Sequence, residues 1–578
     1  MNHKLSAWEY ELSLRGEEMI YTLLNFGWIF ISTFLLGFGF LTVLGKCFKK
    51  NLLSIDFILI TGLMAATVYA QMMSLIYKVR TLASLILFLM VIVIAVLLRR
   101  TLFDWIKKLL EDRSRLYGSI IIIMLLTFMG MIVACQSAAL YDTGLYHAQA
   151  IHWIEDYGYV KGLGNLHNRF AYNSSFLCLQ ALYSWVFVNG QSLHGMNAYI
   201  GIVMAGYVLL SFQWRKRTNR VAGMLNLALL LYICNSLGGM ESPGTDFFAM
   251  CLMLYLLARW FRCKYMEEKY ILCILTAFGV TLKLSIAPVV LLTAVPAIWL
   301  IKGKKWKETA VCLGSGLLAV LPFLVRNVMI SGYLVYPYTA LDFFSVDWKM
   351  PEYTVNRDRN EIMAWGRELK DVNKIDYPIW DWFPIWFQEL TGVQRALFLL
   401  NVLLIVIVIC FVVREFQKKR FEMAYVCCVA ILGLAMWFFS APLMRYGRAY
   451  LYILPAIVFG LAIERLRGSE KAFKLISAGF VVWFIFLCNQ YLKNQEYVRI
   501  DSPEDYPSYS VTEHVISNGI SIYTAEGDDR TGYEPFPAIP YAAVLDKIEL
   551  RGDSLGNGFR IREEYRHTKL SNYGQIEE

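Results

Sequence analysis

The chain has 578 residues, 57% hydrophobic, 15% aromatic and only 17% charged, with a mean hydropathy of +0.46. A soluble domain carries roughly 25% charged residues, so a soluble globular protein is excluded. The formal charge of +9 does not mark a nucleic-acid binder, because Lys and Arg stand in short clusters between apolar runs, where they anchor topology and meet anionic lipid headgroups.

The start, MNHKLSAWEYELSLRGEEM, is too polar and acidic for a cleavable signal, so the first span is expected to direct insertion itself. Apolar runs of bilayer-crossing length predict about fourteen transmembrane helices. They fall at 20–45, 54–77, 81–98, 118–134, 194–213, 221–235, 245–260, 270–283, 285–301, 308–325, 393–413, 422–440, 446–463 and 473–489. Placing Lys46, Lys49 and Lys50 in the cytoplasm puts the later basic clusters there too: Arg99 to Arg115, Arg215 to Arg220, Arg259 to Lys269, Lys302 to Lys307, Arg414 to Arg420 and Arg465 to Lys474. Both termini then lie outside, and the outer face collects the loops 135–193 and 326–392 and the tail 490–578. The apolar stretch Ser175 to Val188 breaks this alternation and is short for a crossing, so it is expected to be an interfacial or re-entrant helix. The tail exchanges Leu and Ile for Asp, Glu, Gly, Pro and Tyr. Its pieces ISIYT and IELRG predict a small exposed α/β appendage, serving either as a lid or in recognition. The twelve cysteines lie mostly in apolar runs with no CxxC pair, and are read as helix-packing residues.

The most polar loop is Tyr141 to Ser175, YDTGLYHAQAIHWIEDYGYVKGLGNLHNRFAYNSS. Tyr141, Leu145, Ala148, Ile151 and Ile154 recur at helical spacing, which predicts a helix lying on the membrane. Asp142, His147, Gln149, His152 and Asp156 then face water or a cavity. Asp142 precedes the helix, so it is either an N-cap or a carboxylate that deprotonates a hydroxyl or helps to bind a divalent cation. His147, His152 and His167 match no standard metal spacing.

Further polar residues fall at expected outer helix ends: Glu241 and Asp246 in GGMESPGTDFFAM, Lys283 in GVTLKLSIAP, Arg326 in PFLVRNVMISGYLVYP, and Arg445 and Arg448 in APLMRYGRAY. Each cation is either a snorkelling anchor or part of a phosphate site at headgroup level. Trp348, Trp365, Trp380, Trp382 and Trp386 read as an interfacial belt or as faces for stacking sugars.

The order of a span, the early-acid loop with its amphipathic helix and then many spans resembles the GT-C superfamily of integral membrane glycosyltransferases. The likeness is to the mannosyltransferase and aminoarabinose-transferase type, and covers roughly 118–463. SPGTDFFAMCLMLYLLARW, TLKLSIAPVVLL, RNVMISGYLVYP and RYGRAYLYILPAI add to it. The resemblance implies an all-α, GT-C-like polytopic fold, with extra transmembrane helices at 1–117, a catalytic region at 118–489 and the appendage at 490–578. It also implies transfer of a sugar from a polyprenyl-phosphate donor to a lipid or glycan hydroxyl, with inversion, on the extracytoplasmic face of the plasma membrane. Asp142 would be the catalytic base, and Lys283, Arg326 and Arg445 would lie on the phosphate side; Arg448, Asp246 and His147 are further candidate substrate-binding residues from their places in the sequence. Thr143 stands where the family often has a second acid, and AYNSS where it has a KPP-like step. The rival readings are a surface-polysaccharide polymerase or ligase, with its key arginines in late loops, and a transporter or flippase, which would want polar residues at the bilayer midplane.

Overall fold

The computed structural model describes residues 7–111, 113–211, 219–419, 421–495 and 504–577, and is 71% helical. The expected basic cluster from Arg215 lies outside the described residues except for Arg220. The N-terminal helices are α1 (Ala7–Phe48), α2 (Ile55–Ser74), α3 (Thr81–Leu97), α4 (Arg99–Leu110) and α5 (Arg113–Ala134). The first polar loop carries α6 (Ala148–Tyr157), α7 (Leu163–Leu166), α8 (Ser175–Tyr183) and α9 (Val186–Asn189). The middle of the bundle is α10 (Met196–Ser211), α11 (Arg220–Cys234), α12 (Asp246–Trp260), α13 (Met266–Leu282), α14 (Ala294–Lys302) and α15 (Trp306–Ser331). The second loop holds α16 (Glu352–Gly366) and α17 (Ile379–Glu389), and α18 (Gly392–Gln417), α19 (Phe421–Ser440), α20 (Met444–Arg465) and α21 (Ser469–Asn494) complete the helical part.

Among the described residues nine helical segments are long and apolar enough to cross a membrane, or ten if α3 and α4, bent by 76° to each other, count as one. The expected fourteen exceeds this because α10 to α13 span only 15–17 residues. A short apolar run reads the same whether a helix crosses lipid or is enclosed by other helices. α12 shows the second state: its sequence is apolar on all sides, and every residue from Phe247 to Trp260 is buried. The N-terminal helices belong to the same bundle. α1 and α2 cross so closely that a Cβ at Gly37 would stand 1.9 Å from the Ile58 carbonyl oxygen, and one at Gly62 1.8 Å from that of Thr33.

Ion pairs tie the helix ends together at the end of the bundle remote from the first loop. Arg259 contacts Asp56 (2.9 Å) and Glu268 (3.4 Å), Lys269 pairs with Glu422, and the Lys50 ammonium lies 4.5 Å over the Tyr265 ring. The connection Arg259 to Lys269 therefore meets the link between α1 and α2 and the start of α19. The stretch Ser175 to Val188, expected to be an interfacial or re-entrant helix, forms α8, which is wholly buried and packed on α2 and α6, and, after a left-handed Trp185, α9, where Phe187 and Val188 are exposed. The tryptophan belt is also only partial. Trp382 and Trp386 are buried against Phe438, and the Trp386 indole donates to the Pro442 carbonyl (2.8 Å), whereas Trp380 is 73% exposed.

From residue 504 on, the described residues of the appendage form strands and 3-10 turns and no α-helix, which corrects the α/β expectation. β1 (Val511–Val515) pairs antiparallel with β2 (Ser521–Ala525), β2 pairs parallel with β3 (Ala538–Ile539), and β4 (Ile548–Leu550) pairs antiparallel with β5 (Phe559–Ile561). ISIYT and IELRG fall on β2 and β4, as their β-branched composition predicts.

Candidate functional site

Asp142 begins a π-helical turn, Thr143–His147, that leads into α6. Its carboxylate accepts no capping bond from the backbone, so the N-cap expectation is replaced by an ion pair, with Arg445 Nη2 2.8 Å from Oδ2. Arg445 lies in the first turn of α20 and also donates to the Tyr446 hydroxyl (3.0 Å). Lys283 occupies the extended link after α13, pairs with Asp246 at the start of α12, and holds its ammonium 4.2 Å from the centre of the Tyr446 ring. Two ion pairs, Asp142–Arg445 and Lys283–Asp246, thus flank Tyr446, brought from four distant parts of the chain.

Electrostatics around Asp142 are mixed. Burial acts to raise its pKa, but Arg445, His147, Arg169 and Lys283 outweigh it and hold the carboxyl below the usual range. His147 is buried, and neither ring nitrogen has a hydrogen-bond partner. Burial pushes its pKa down to about 4 even though Asp142 pulls the other way, so it is neutral at pH 7. A negative carboxylate beside a neutral imidazole can take up a proton, and the nearby cations can hold an anion.

Arg326 does not join this cluster. It is 2% exposed, and its guanidinium donates to Asn173 Oδ1 (3.0 Å), the Gly158 carbonyl (3.0 Å) and the Ser74 hydroxyl. Those bonds lock α15 to α2 and to the end of α6, so Arg326 is a packing residue and not a phosphate ligand. Arg448 donates to the Asn235 carbonyl (2.9 Å) at the end of α11, beside the cluster and not in it.

The polar face of the loop helix does not meet water either, because the appendage covers it. Gln149 Nε2 donates to the carbonyls of Gly532 (3.3 Å), Tyr533 (3.0 Å) and Pro535 (3.0 Å), and Oε1 accepts from Ala538 N (2.9 Å). His152 stacks between Tyr533 and Phe536, at centroid distances of 4.3 and 3.9 Å, with Asp156 3.2 Å away. The buried Glu155 accepts from Tyr533 and Ser192 (2.9 Å), and burial raises its pKa. The three loop histidines do not converge, and among the described residues no group of three or more His, Cys, Asp or Glu could hold a metal ion.

Two residues that the sequence reading did not single out enter the site. Asp358, in α16, accepts from Asn168, Tyr172 (2.9 Å) and Tyr336 (2.8 Å). Arg169, on the 3-10 turn Asn168–Ala171, lies within electrostatic reach of both Asp142 and Asp358. Their only sequence signal was Arg169's place in the polar loop.

A family model described as "Domain of unknown function (DUF8201)" matches residues 19–452, roughly three quarters of the chain. The chain belongs to this family. The DUF8201 match takes in Asp142, Arg169, Asp246, Lys283 and Arg445 and stops before α21 and the appendage. No curated protein and no solved structure matches the chain.

Proposed function

We propose that the protein is a GT-C-like membrane glycosyltransferase. It moves a sugar from a polyprenyl-phosphate carrier to an acceptor hydroxyl on the extracytoplasmic face of the plasma membrane, through a helical body that crosses the bilayer about fourteen times. The observation that carries this reading is the pairing of Asp142 with Arg445 next to that of Lys283 with Asp246, all at one end of the bundle. In the reaction the acceptor oxygen bonds to the anomeric carbon, the bond from that carbon to the phosphate oxygen breaks, and the phosphate leaves with the electron pair. Asp142 takes the hydroxyl proton. Arg445 and Lys283 stabilise the charge that develops on the leaving phosphate, the kind of electrostatic term that dominates many active sites.

The two ion pairs give this scheme an activation step. While Arg445 holds Asp142, the carboxylate is a weak base. A phosphate arriving at Arg445 competes for the guanidinium, and Asp142 becomes more basic as that cation turns away.

A donor titration tests the reading. Lys283→Ala removes a phosphate contact made in both ground and transition states, so it should raise KM for a polyprenyl-phosphate sugar more than it lowers kcat. Unchanged kinetics at limiting donor would remove Lys283 from the site.

A further inference from the structure

The turn Thr143–His147 that follows Asp142 is π-helical, closed by Ala148 N donating to the Thr143 carbonyl. A π turn takes in one residue more than an α turn and is rare, appearing mostly as a single turn and frequently at functional sites. The extra residue governs direction. Each residue of an α-helix turns the chain by about 100°, so relaxing this turn to α-helix would swing whatever precedes it by about that angle relative to α6. Asp142 is what precedes it, with Oδ2 2.8 Å from Arg445 Nη2. The ion pair therefore depends on the turn keeping its π form.

The appendage stretch 529–532 grips the chain on both sides of Asp142. On one side the Tyr141 hydroxyl donates to Asp529, and the Arg530 guanidinium lies 5.5 Å from the centre of the Tyr141 ring. Asp529 is itself held within the appendage by the Tyr541 hydroxyl (3.3 Å). On the other side the backbone amides of Thr531 (2.9 Å) and Gly532 (3.0 Å) both donate to the Gly144 carbonyl. The approach is close enough that a Cβ at Gly144 would stand 2.8 Å from the Tyr509 hydroxyl. Gly532 has a φ of +72°, and a Cβ there would stand 2.4 Å from the Pro507 carbonyl oxygen, so glycine is needed to present this amide. The bonds from Gln149 to Gly532, Tyr533, Pro535 and Ala538 then fix the first turn of α6.

The chain is thus anchored before, within and after the turn, at Tyr141, Gly144 and Gln149. An appendage that only covered the loop would need apolar burial and would be indifferent to the form of the turn. Here directional bonds fall on the residue before Asp142 and on the second residue after it.

We propose that 529–532 is a clamp that keeps Thr143–His147 in its π form and so positions Asp142 against Arg445, with Asp529, Thr531 and Gly532 as positioning residues. Its consequence for sugar transfer rests on the reading of Asp142 as the base; the clamp itself does not. The full-length protein in nanodiscs is compared as wild type, Tyr141→Phe, Gly532→Ala and Asp142→Asn, by hydrogen–deuterium exchange and by sugar transfer. Tyr141→Phe removes one anchor and keeps the ring, and Gly532→Ala displaces a second. Amide exchange over 143–149 should quicken in both, by about 10-fold in Tyr141→Phe for a lost hydrogen bond to a charged group, while exchange in α12 stays unchanged. Transfer should fall about 10-fold in Tyr141→Phe. Added to Asp142→Asn, the same substitution should cost nothing further, because the clamp acts through Asp142. An equal fold loss in both backgrounds would mark Tyr141 as merely structural and overturn the positioning role. Unchanged exchange over 143–149 would overturn the clamp. A Gly532→Ala protein that does not fold leaves Tyr141→Phe to carry both readouts. Absence of sugar transfer by the wild type would sink the transfer reading, and exchange would then decide the clamp by itself.

Discussion

At the scale of single residues, the informative feature is that the charges of the site are paired with one another. Asp142 and Arg445 neutralise each other, as do Lys283 and Asp246. The pairing makes a prediction about pH. Arg445 is the largest of the influences lowering the pKa of Asp142 against burial, so Arg445→Gln should raise it. If ionised Asp142 is the base, activity falls as pH drops through its pKa. The acid limb of kcat/KM, which reports the free enzyme, should therefore move to higher pH in Arg445→Gln. An unmoved limb would mean that some other group takes the proton. Asp142, Lys283, Asp246 and Arg445 were legible in the sequence because charge at the edge of an apolar run is conspicuous. Arg169 was not, because a cation in a polar loop is ordinary until the fold shows which carboxylates stand near it.

At the scale of elements, α6 shows what periodicity can and cannot tell. Its apolar stripe was readable, and so was the polarity of its opposite face. The partner of that face was not, since Gly532 to Ala538 lie almost 400 residues downstream and carry no local sign of contact with Gln149. The same blindness misplaced Arg326. Its position at the end of α15 matches a headgroup cation, yet its side chain turns inward to Asn173, Gly158 and Ser74. Arg326→Ala should leave those acceptors unsatisfied and cost about 2–4 kcal/mol, seen as lower thermal stability with donor KM unchanged in the protein that folds. A selective rise in KM at wild-type stability would return Arg326 to the substrate site.

At the scale of the whole molecule, hydropathy revealed a helical membrane protein, and its fourteen apolar runs outnumber the nine or ten segments among the described residues that are long and apolar enough to cross a membrane. α12 is the instructive case, because a helix apolar all round is equally at home among other helices and in lipid. The contacts of Asp56, Arg259, Glu268, Lys269 and Glu422 join the connection Arg259 to Lys269 to the starts of α2 and α19, and the expected topology has a direct check. A single cysteine at Lys304, in a cysteine-free background, should resist a membrane-impermeant thiol reagent in intact cells, and one at Trp380 should react. Labelling of position 304 from outside would reverse the orientation and with it the side on which the site works.

The central claim is that Asp142 takes a proton during sugar transfer, and Asp142→Asn tests it most directly. The substitution keeps size and shape and removes the basic oxygen. Because Asp142 makes no capping bond, nothing is lost on that account, and the protein should insert and fold. With a panel of polyprenyl-phosphate sugars and purified protein in nanodiscs, the account predicts transfer by the wild type, and a fall of about 10²- to 10⁴-fold in Asp142→Asn with donor binding retained. An Asn variant that transfers sugar at the wild-type rate would contradict it.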